Sequence, residues 1–154
     1  SECALMATQM DNILAAFEQR FKRITQDNGF HTNAGLNTFD SRTYFDWQNK
    51  NEFPAISIFW PNERVEASNE VNKVLQVMSV VVEAHAIAST LNPGQIMREL
   101  IADIKQAAID PHDLTLDGLV KSIRPIELIT QSQTDSNHIV SVRLSYEIRY
   151  IESF

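Results

Sequence analysis

One stretch near the end of the 154-residue chain constrains the fold more than any other. Within residues 139–151, apolar or aromatic residues alternate strictly with polar ones from 140 to 150. The apolar set is Val140, Val142, Leu144, Tyr146, Ile148 and Tyr150, and the polar set is Ser141, Arg143, Ser145, Glu147 and Arg149. Because successive side chains of a strand point to opposite faces, this pattern predicts a long β-strand. One face should lie on a core and the other in water or in an interface.

A partner for this strand lies just upstream, at residues 122–131. Its apolar content is Ile123, Ile126, Leu128 and Ile129. The intervening residues 132–137 are turn formers, whose short polar side chains bond their own backbone. The two segments therefore predict a C-terminal β-hairpin. Pro125 has no backbone N–H to donate, so we expect it at a sheet edge or a bulge.

The sequence predicts two helices. Over residues 10–27, apolar residues recur every three or four positions, which is one helical face; we expect Asp11 to cap the start and Gly29 to follow the end. The second helix begins after Asn92, a good N-cap, with Pro93 in its first position and Gln95 completing a capping box. Its apolar stripe is Ile96, Met97, Leu100, Ile101, Ile104 and Ala108, and the Asp-Pro pair at 110–111 ends it.

Strands fill the middle of the chain. Residues 54–60 predict a strand, residues 61–64 a turn and residues 66–70 a loop. Residues 71–88 predict a second long strand with a bulge near Gln76, and a short strand is expected within residues 30–36. Between these segments, residues 39–53 carry an unusual number of aromatic side chains, which either pack onto the domain or await a partner. They are Phe39, Tyr44, Phe45, Trp47 and Phe53.

The order of the elements predicts an α+β fold. Strands cluster rather than alternating with helices, so two main helices should pack on a mostly antiparallel or mixed sheet that ends in the hairpin. We expect residues 1–154 to form a single domain, with residues 1–5 preceding a native start at Met6. Cys3 is the only cysteine, so no disulfide can form within one chain.

Charge and hydropathy limit the partners. The net charge is −7, which argues against a general nucleic-acid binder because such proteins need a basic patch. No apolar run approaches the ~18 residues of a membrane helix. We therefore expect no membrane partner.

The sequence offers little chemistry. It contains no nucleophile motif, phosphate loop or dinucleotide fingerprint. The local cluster of Asp110, His112 and Asp113 resembles metal ligands, but such turns are common and a metal site needs three or four converging ligands. Glu83 and His85 lie two apart on one strand face as a possible acid–base pair, although salt-linked pairs are far more frequent. We expect no enzyme, no cofactor and no metal.

The whole pattern resembles a known family. The features are an N-terminal amphipathic helix, Pro-Ala-Ile-Ser-Ile at 54–58, a long strand and an Asn-Pro-Gly helix start at 92–94. Leu-Thr-Leu-Asp-Gly-Leu-Val at 114–120, Ile-Arg-Pro at 123–125 and the alternating last strand follow. In this order and texture the chain resembles the tail terminator, or tail-completion, proteins of long-tailed bacteriophages.

The resemblance implies a non-enzymatic virion protein, assembled in the host cytoplasm. It would form a ring, with six subunits as the expected number, at the head-proximal end of the tail. There it would stop tube polymerisation, contact the tail tube protein and the neck or head-completion protein, and let DNA pass without specific binding. Candidate interface residues are Tyr44, Phe45, Trp47, Arg143, Glu147 and Arg149. The alternatives are another neck or tail-tube component, or a ligand-binding or enzymatic domain built on Glu83 and His85.

Overall fold

Two helices and five strands make up the chain in the computed structural model, which describes residues 7–88, 92–132 and 139–154. The helices are α1 (Gln9–Lys22) and α2 (Pro93–Ala108). The strands are β1 (Thr38–Asp40), β2 (Ala55–Glu70), β3 (Lys73–Ile87), β4 (Ser122–Ser132) and β5 (Ile139–Ser153). Short 3₁₀ helices lie at Gln26–Asn28, Ala34–Asn37 and Lys50–Glu52.

The strands form one mixed sheet in the order β1-β2-β3-β5-β4. Only β1 runs parallel to its neighbour, and the other three pairings are antiparallel. The predicted α+β fold is confirmed, including the pairing of β4 with β5. The turn predicted at residues 132–137 lies almost wholly outside the described residues.

The alternation in β5 separates the two faces of the sheet as predicted. None of its six apolar side chains is more than 3% exposed. Strand β3 pairs with β5 without interruption from Lys73 opposite Ser153 to Ile87 opposite Ile139. Residues directly opposite each other share a face, so the alternation of β5 and that of β3 bury the same side.

Both helices pack on that buried side. Phe17 of α1 meets Phe21 edge-on, with ring centroids 4.9 Å apart, and meets Tyr146 of β5 at 5.7 Å. Leu100 and Ile104 of α2 join the same core and are fully buried. The core therefore lies between the helices and one face of the sheet, and neither α1 nor α2 packs on the opposite face.

Helix α1 is shorter than its apolar period indicates. It ends at Lys22, not at residue 27, and its N-cap is Thr8, with Asp11 closing the capping box from the third position. The chain then turns so that Gly35 lies against the end of α1. A Cβ at Gly35 would stand 2.6 Å from two α1 carbonyl oxygens. The strand expected within residues 30–36 is absent from this described segment, which carries the 3₁₀ helix Ala34–Asn37 before β1.

The predicted N-cap and first position of α2 are confirmed, but the predicted capping box is not formed, because the Gln95 side chain bonds the Asn92 side-chain amide, whereas a capping box uses the backbone N–H of the N-cap residue. The Asn92 side chain accepts from the Gln95 backbone N–H at 3.2 Å. The Asn92 amide also donates to the Gln95 side-chain oxygen at 3.2 Å. Pro93 occupies the first turn, where its missing N–H has no cost.

Strand β2 is a single element, so the turn predicted at residues 61–64 and the loop predicted at 66–70 are wrong. Its pairing with β3 slips between Phe59 and Asn62, and again after Val65 and after Ala67. These irregularities take up Pro61 and the polar residues without ending the strand. The bulge expected near Gln76 lies in the facing strand, where Glu66 is the extra residue between Val65 and Ala67.

Pro125 lies where its chemistry requires. Strand β4 is the last in the sheet order, and its pairing with β5 slips between Pro125 and Glu127. The residue is therefore both on an edge strand and beside a bulge, as predicted.

Candidate assembly surface

The sheet face opposite the helices, called here the open face, carries the polar side chains of β5. Arg143, Glu147 and Arg149 all lie on it, as the alternation predicts. Glu83 and His85 of β3 share this face, because they pair with Arg143 and Ser141. Four of the predicted functional residues thus converge on one side of the sheet with His85.

An ion-pair network crosses the open face at one end of the sheet. Arg149 Nε lies 2.8 Å from Glu66 Oε2, and its Nη2 lies 3.4 Å from Glu147 Oε2. Arg64 Nη2 lies 3.5 Å from Glu147 Oε1. The hydrogen bond from Arg149 lowers the pKa of Glu66, and the same bond raises the pKa of Arg149. These charges are therefore largely matched within one copy.

A second polar group lies further along the same face. His85 Nδ1 is 2.7 Å from Ser141 Oγ, and His85 Nε2 is 3.7 Å from Glu83 Oε2. Arg143 Nε lies 3.6 Å from the other oxygen of Glu83. The approach of His85 is the largest cause of the lowered pKa of Glu83, and burial acts in the opposite direction. A serine, a histidine and a carboxylate thus meet, and the first two share a hydrogen bond.

The segment 41–53, called here the aromatic loop, covers that polar group. The Phe45 ring lies 5.3 Å from the His85 ring, and Trp47 meets His85 edge-on at 5.8 Å. Trp47 stacks on Phe53 with centroids 4.6 Å apart. Phe45 is 3% exposed and so packs within its own chain, whereas Tyr44 is 75% exposed. Of the aromatic candidates, Tyr44 is the one that stands free for a partner.

Polar contacts hold the aromatic loop in place. Arg42 Nη2 lies 2.9 Å from Glu52 Oε1, and the Asp46 backbone N–H donates to Glu52 Oε2 at 2.7 Å. The Arg42 guanidinium also lies over the Phe45 ring, 4.7 Å from its centroid. The side-chain hydrogen bond from Arg42 is the first cause of the lowered pKa of Glu52, followed by the bond from Asp46.

Both edges of the sheet are open over long stretches. Within the described ranges, no strand pairs with the outer side of β4, and β1 covers β2 only as far as Ile58. On β4, Ile126, Leu128 and Ile129 are each more than 40% exposed, and on the outer part of β2, Val65 is 60% exposed. Long edges with exposed apolar side chains favour pairing with another chain.

A groove runs beside the β4 edge on the helix side of the sheet. Its volume is about 450 Å³, and it lies between the last turns of α2 and the bulge in β4. The lining includes Lys105, Ile109, Ile126, Leu128 and Tyr146. The floor is therefore apolar and the rim carries one cation.

The Asp110–Asp113 turn is engaged in structural contacts. The His112 backbone N–H donates to Asp110 Oδ1 at 2.9 Å, and Asp113 Oδ2 lies 3.7 Å from Nη2 of the buried Arg20. In the part of the chain that the structure describes, no three His, Cys, Asp or Glu side chains come together as metal ligands. Neither described helix is long and apolar enough to cross a membrane.

Sequence reasoning missed the groove and the exposed apolar side chains of the β4 edge. A signal was present, because Ile126 and Ile129 break the alternation of β4 and put apolar side chains where an exposed edge strand would carry polar ones. It also missed Asp103, a fully buried carboxylate in the apolar stripe of α2. Asp103 accepts hydrogen bonds from the backbone N–H groups of His31 and Thr32 at 2.9 and 2.8 Å.

Comparisons with known proteins show a likeness to a solved structure. No protein-family model and no curated protein matches the sequence. Among solved structures, the chain is similar to a chain in the virion of a native gene transfer agent particle, with 14% sequence identity and a TM-score of 0.51. The match covers 75% of this chain and 78% of that chain. At this identity the likeness shows a shared fold.

Proposed function

We propose that this protein is a structural component of a phage-like virion that assembles head to tail into a ring. Within that class, we propose the role of a tail terminator, which caps the head-proximal end of the tail tube. The observation that carries the proposal is the pair of open strand edges on opposite sides of one sheet. The fold shared with a virion chain supports the same class of function.

The directions of the edge strands suit a ring. Strand β2 is antiparallel to β3, β3 to β5 and β5 to β4, so β4 and β2 run in opposite directions. If copies are rotated about an axis along the strands, every β2 points the same way. Each β4 then meets the β2 of the next copy in antiparallel fashion, and rotation that closes gives a ring without free edges.

Capping follows from shape. A ring that matches the last ring of the tube would occupy the growing end, and its far side would offer the neck a surface instead of another tube-like face. The protein needs no catalytic group for this task, which fits a non-enzymatic role. Six subunits is the number we propose.

The matched charges of the open face suit the lining of a channel through which DNA passes. Arg149 lies against Glu66 and Glu147, and Arg143 lies against Glu83. Cations already matched by carboxylates attract phosphate weakly, because little net charge remains to displace counterions. We therefore propose that this face lines the lumen of the ring.

The test uses the tail-tube protein of the particle to which this chain belongs. Polymerising that tube protein with this chain should give tubes that stop growing and carry a ring at one end in negative-stain images. Tubes that reach the same length with and without the chain, with bare ends, would contradict the capping role. The tube protein incubated without this chain is the control.

A second candidate function rests on the hydrogen bond between His85 and Ser141. With Glu83 nearby, these residues form the set that hydrolases use to activate a serine. Against this candidate, Phe45 and Trp47 pack over His85, and Glu83 is shared with Arg143. Hydrolysis of short-chain nitrophenyl esters that Ser141→Ala abolishes would favour an enzyme, and equal background rates for both proteins would exclude it.

A further inference from the structure

The proposed ring requires contacts between copies, and the two open edges carry features that select one register. We propose that Val65 of one copy enters the groove beside β4 of the next, and that Arg64 of the first copy then faces Glu127 of the second. This inference rests on the proposed ring assembly and names its contact. It goes beyond edge pairing, because it states which side chains meet.

Val65 and the groove lie on the same side of the sheet. Val65 pairs with Gln76, which in turn pairs with the buried Tyr150 on the helix side. Leu128 pairs with Leu144, and both line the groove on that side. When the edges of two copies form a continuous sheet, their helix sides are continuous too. Val65 is 60% exposed within one copy and would lie at the mouth of the groove.

Charge selects the register. In an antiparallel pair that places Val65 beside Ile126, Arg64 lies directly opposite Glu127. Both are on the open face, because Arg64 pairs with Val77 and Glu127 with Ser145. Opposite charges facing each other across two strands attract, and like charges repel.

The nearest alternative register is less favourable. Sliding the strands by two residues, so that Val65 lies beside Leu128, brings Glu66 opposite Glu127. Two carboxylates would then face each other, whereas the proposed register pairs a cation with an anion. The groove and the charge pair thus select the same alignment.

A second charge pair lies on the helix side in the same register. Glu63 would lie opposite Leu128, close to Lys105 on the rim of the groove. Glu63 points to that side, where it accepts a hydrogen bond from the Tyr150 hydroxyl at 2.6 Å. Lys105 is exposed and has its ammonium free to approach.

The test joins the two faces covalently. In a Cys3→Ser background, Asn62→Cys is combined with Ile129→Cys in the full chain, and the protein is oxidised at a concentration where light scattering reports oligomers. These positions lie opposite each other on the open face in the proposed register, and Arg64 and Glu127 stay in place. Facing positions in antiparallel strands bring Cβ atoms about 4.5–5.5 Å apart, close enough for a disulfide after small adjustment. We expect a ladder of covalent oligomers on a non-reducing gel.

The matched control moves one cysteine by one residue. Asn62→Cys with Thr130→Cys puts the two thiols on opposite faces of the continuous sheet, because a shift of one position changes the face. This variant should give little ladder under the same conditions. Its Cys3→Ser parent should give none.

The outcomes separate this inference from the proposed function. A ladder in the 62/129 variant and little in the control supports the register. Oligomers without a ladder, or equal ladders in both variants, overturn the register and leave the ring in place. Protein that stays monomeric at every concentration, in the parent and in both variants, overturns the ring and this contact with it.

Discussion

Arg149 of β5 reaches across β3 and donates a 2.8 Å hydrogen bond to Glu66 of β2. Val77 of β3 lies beneath this bridge, directly opposite Arg149 in the ladder, and is fully buried although neither α1 nor α2 packs on the open face. Long charged side chains can cover apolar surface with their stems while the charged ends stay in water. The ion-pair network therefore protects an apolar strip of the sheet.

Replacement of Arg149 separates its packing from its charge. Arg149→Ala should lower the thermal midpoint, because it uncovers Val77 and leaves Glu66 and Glu147 facing each other. Arg149→Met keeps the stem and should retain more of the stability. Thermal unfolding followed by circular dichroism measures both, and equal midpoints for the two variants would show that cover of Val77 contributes nothing.

Two exposed valines distinguish the assembly edge from ordinary surface. Val65→Asp puts a charge at the mouth of the proposed groove and should shift the oligomer to a dissociation constant at least about tenfold higher. Val71→Asp is the matched control, because Val71 is fully exposed in the turn between β2 and β3. Sedimentation velocity measures both. Equal weakening by the two changes would remove the groove from the interface.

Acid should loosen the aromatic loop. The hydrogen bonds from Arg42 and Asp46 hold the pKa of Glu52 below its ordinary value of 4.5. A lowered folded-state pKa means that this stabilisation is fully present above about pH 4.5 and is lost as the pH falls through the folded value. Trp47 fluorescence should report the change in a Trp60→Phe background, which removes the second tryptophan.

Glu52→Gln is the control for that titration. The amide cannot ionise, so the acid-dependent part of the Trp47 signal should be absent from this variant. The same acid transition in both proteins would assign the change to another group.

Tyr146 tests the orientation of β5. It is 2% exposed and packs edge-on against Phe17. Tyr146→Asp places a carboxylate on the core face and should cost about 4 kcal/mol of unfolding free energy. Tyr146→Phe keeps the ring and should cost less than about 1.5 kcal/mol. A Tyr146→Asp protein that melts like the parent would show that this side chain does not face the core.

Asp103 joins α2 to the segment after α1. Asp103→Ala removes the acceptor from the partly buried backbone N–H groups of His31 and Thr32, and should cost about 1–3 kcal/mol. Asp27→Ala changes an exposed carboxyl in the same region and should stay within about 0.5 kcal/mol. Urea unfolding gives both values. A loss for Asp103→Ala as small as that for Asp27→Ala would refute the anchoring role.

The sequence predicted the elements in which one period dominates. Strand β5 and the start of α2 came out as expected, because alternation and capping are local signals that burial then reinforces. The length of α1 did not follow from its period, since Gly35 packs against its end from twelve or more residues away along the chain. That close approach is a tertiary contact with no local signature beyond the glycine itself.

In strand β2, pairing with a neighbouring strand overrides the local composition. Its residues 61–70 carry turn-like composition, yet pairing with β3 holds them in the sheet and bulges absorb Pro61 and Glu66. The sequence was enough to predict that the polar side of β5 carries charged residues. It was not enough to predict the ion pair between Arg149 and Glu66, because this pair forms only when β2 continues past Pro61. The groove beside β4 is lined by residues from several elements that are distant in sequence, so a local sequence pattern could not predict it.

Ring formation is the central claim, and mass measured by light scattering over a concentration series tests it most directly, with negative-stain images of the same fractions. The account predicts a closed oligomer, six times the 17.5 kDa chain mass, that appears in the images as a ring with a central hole. A monomer at every concentration, or open fibres without a limiting mass, would contradict it.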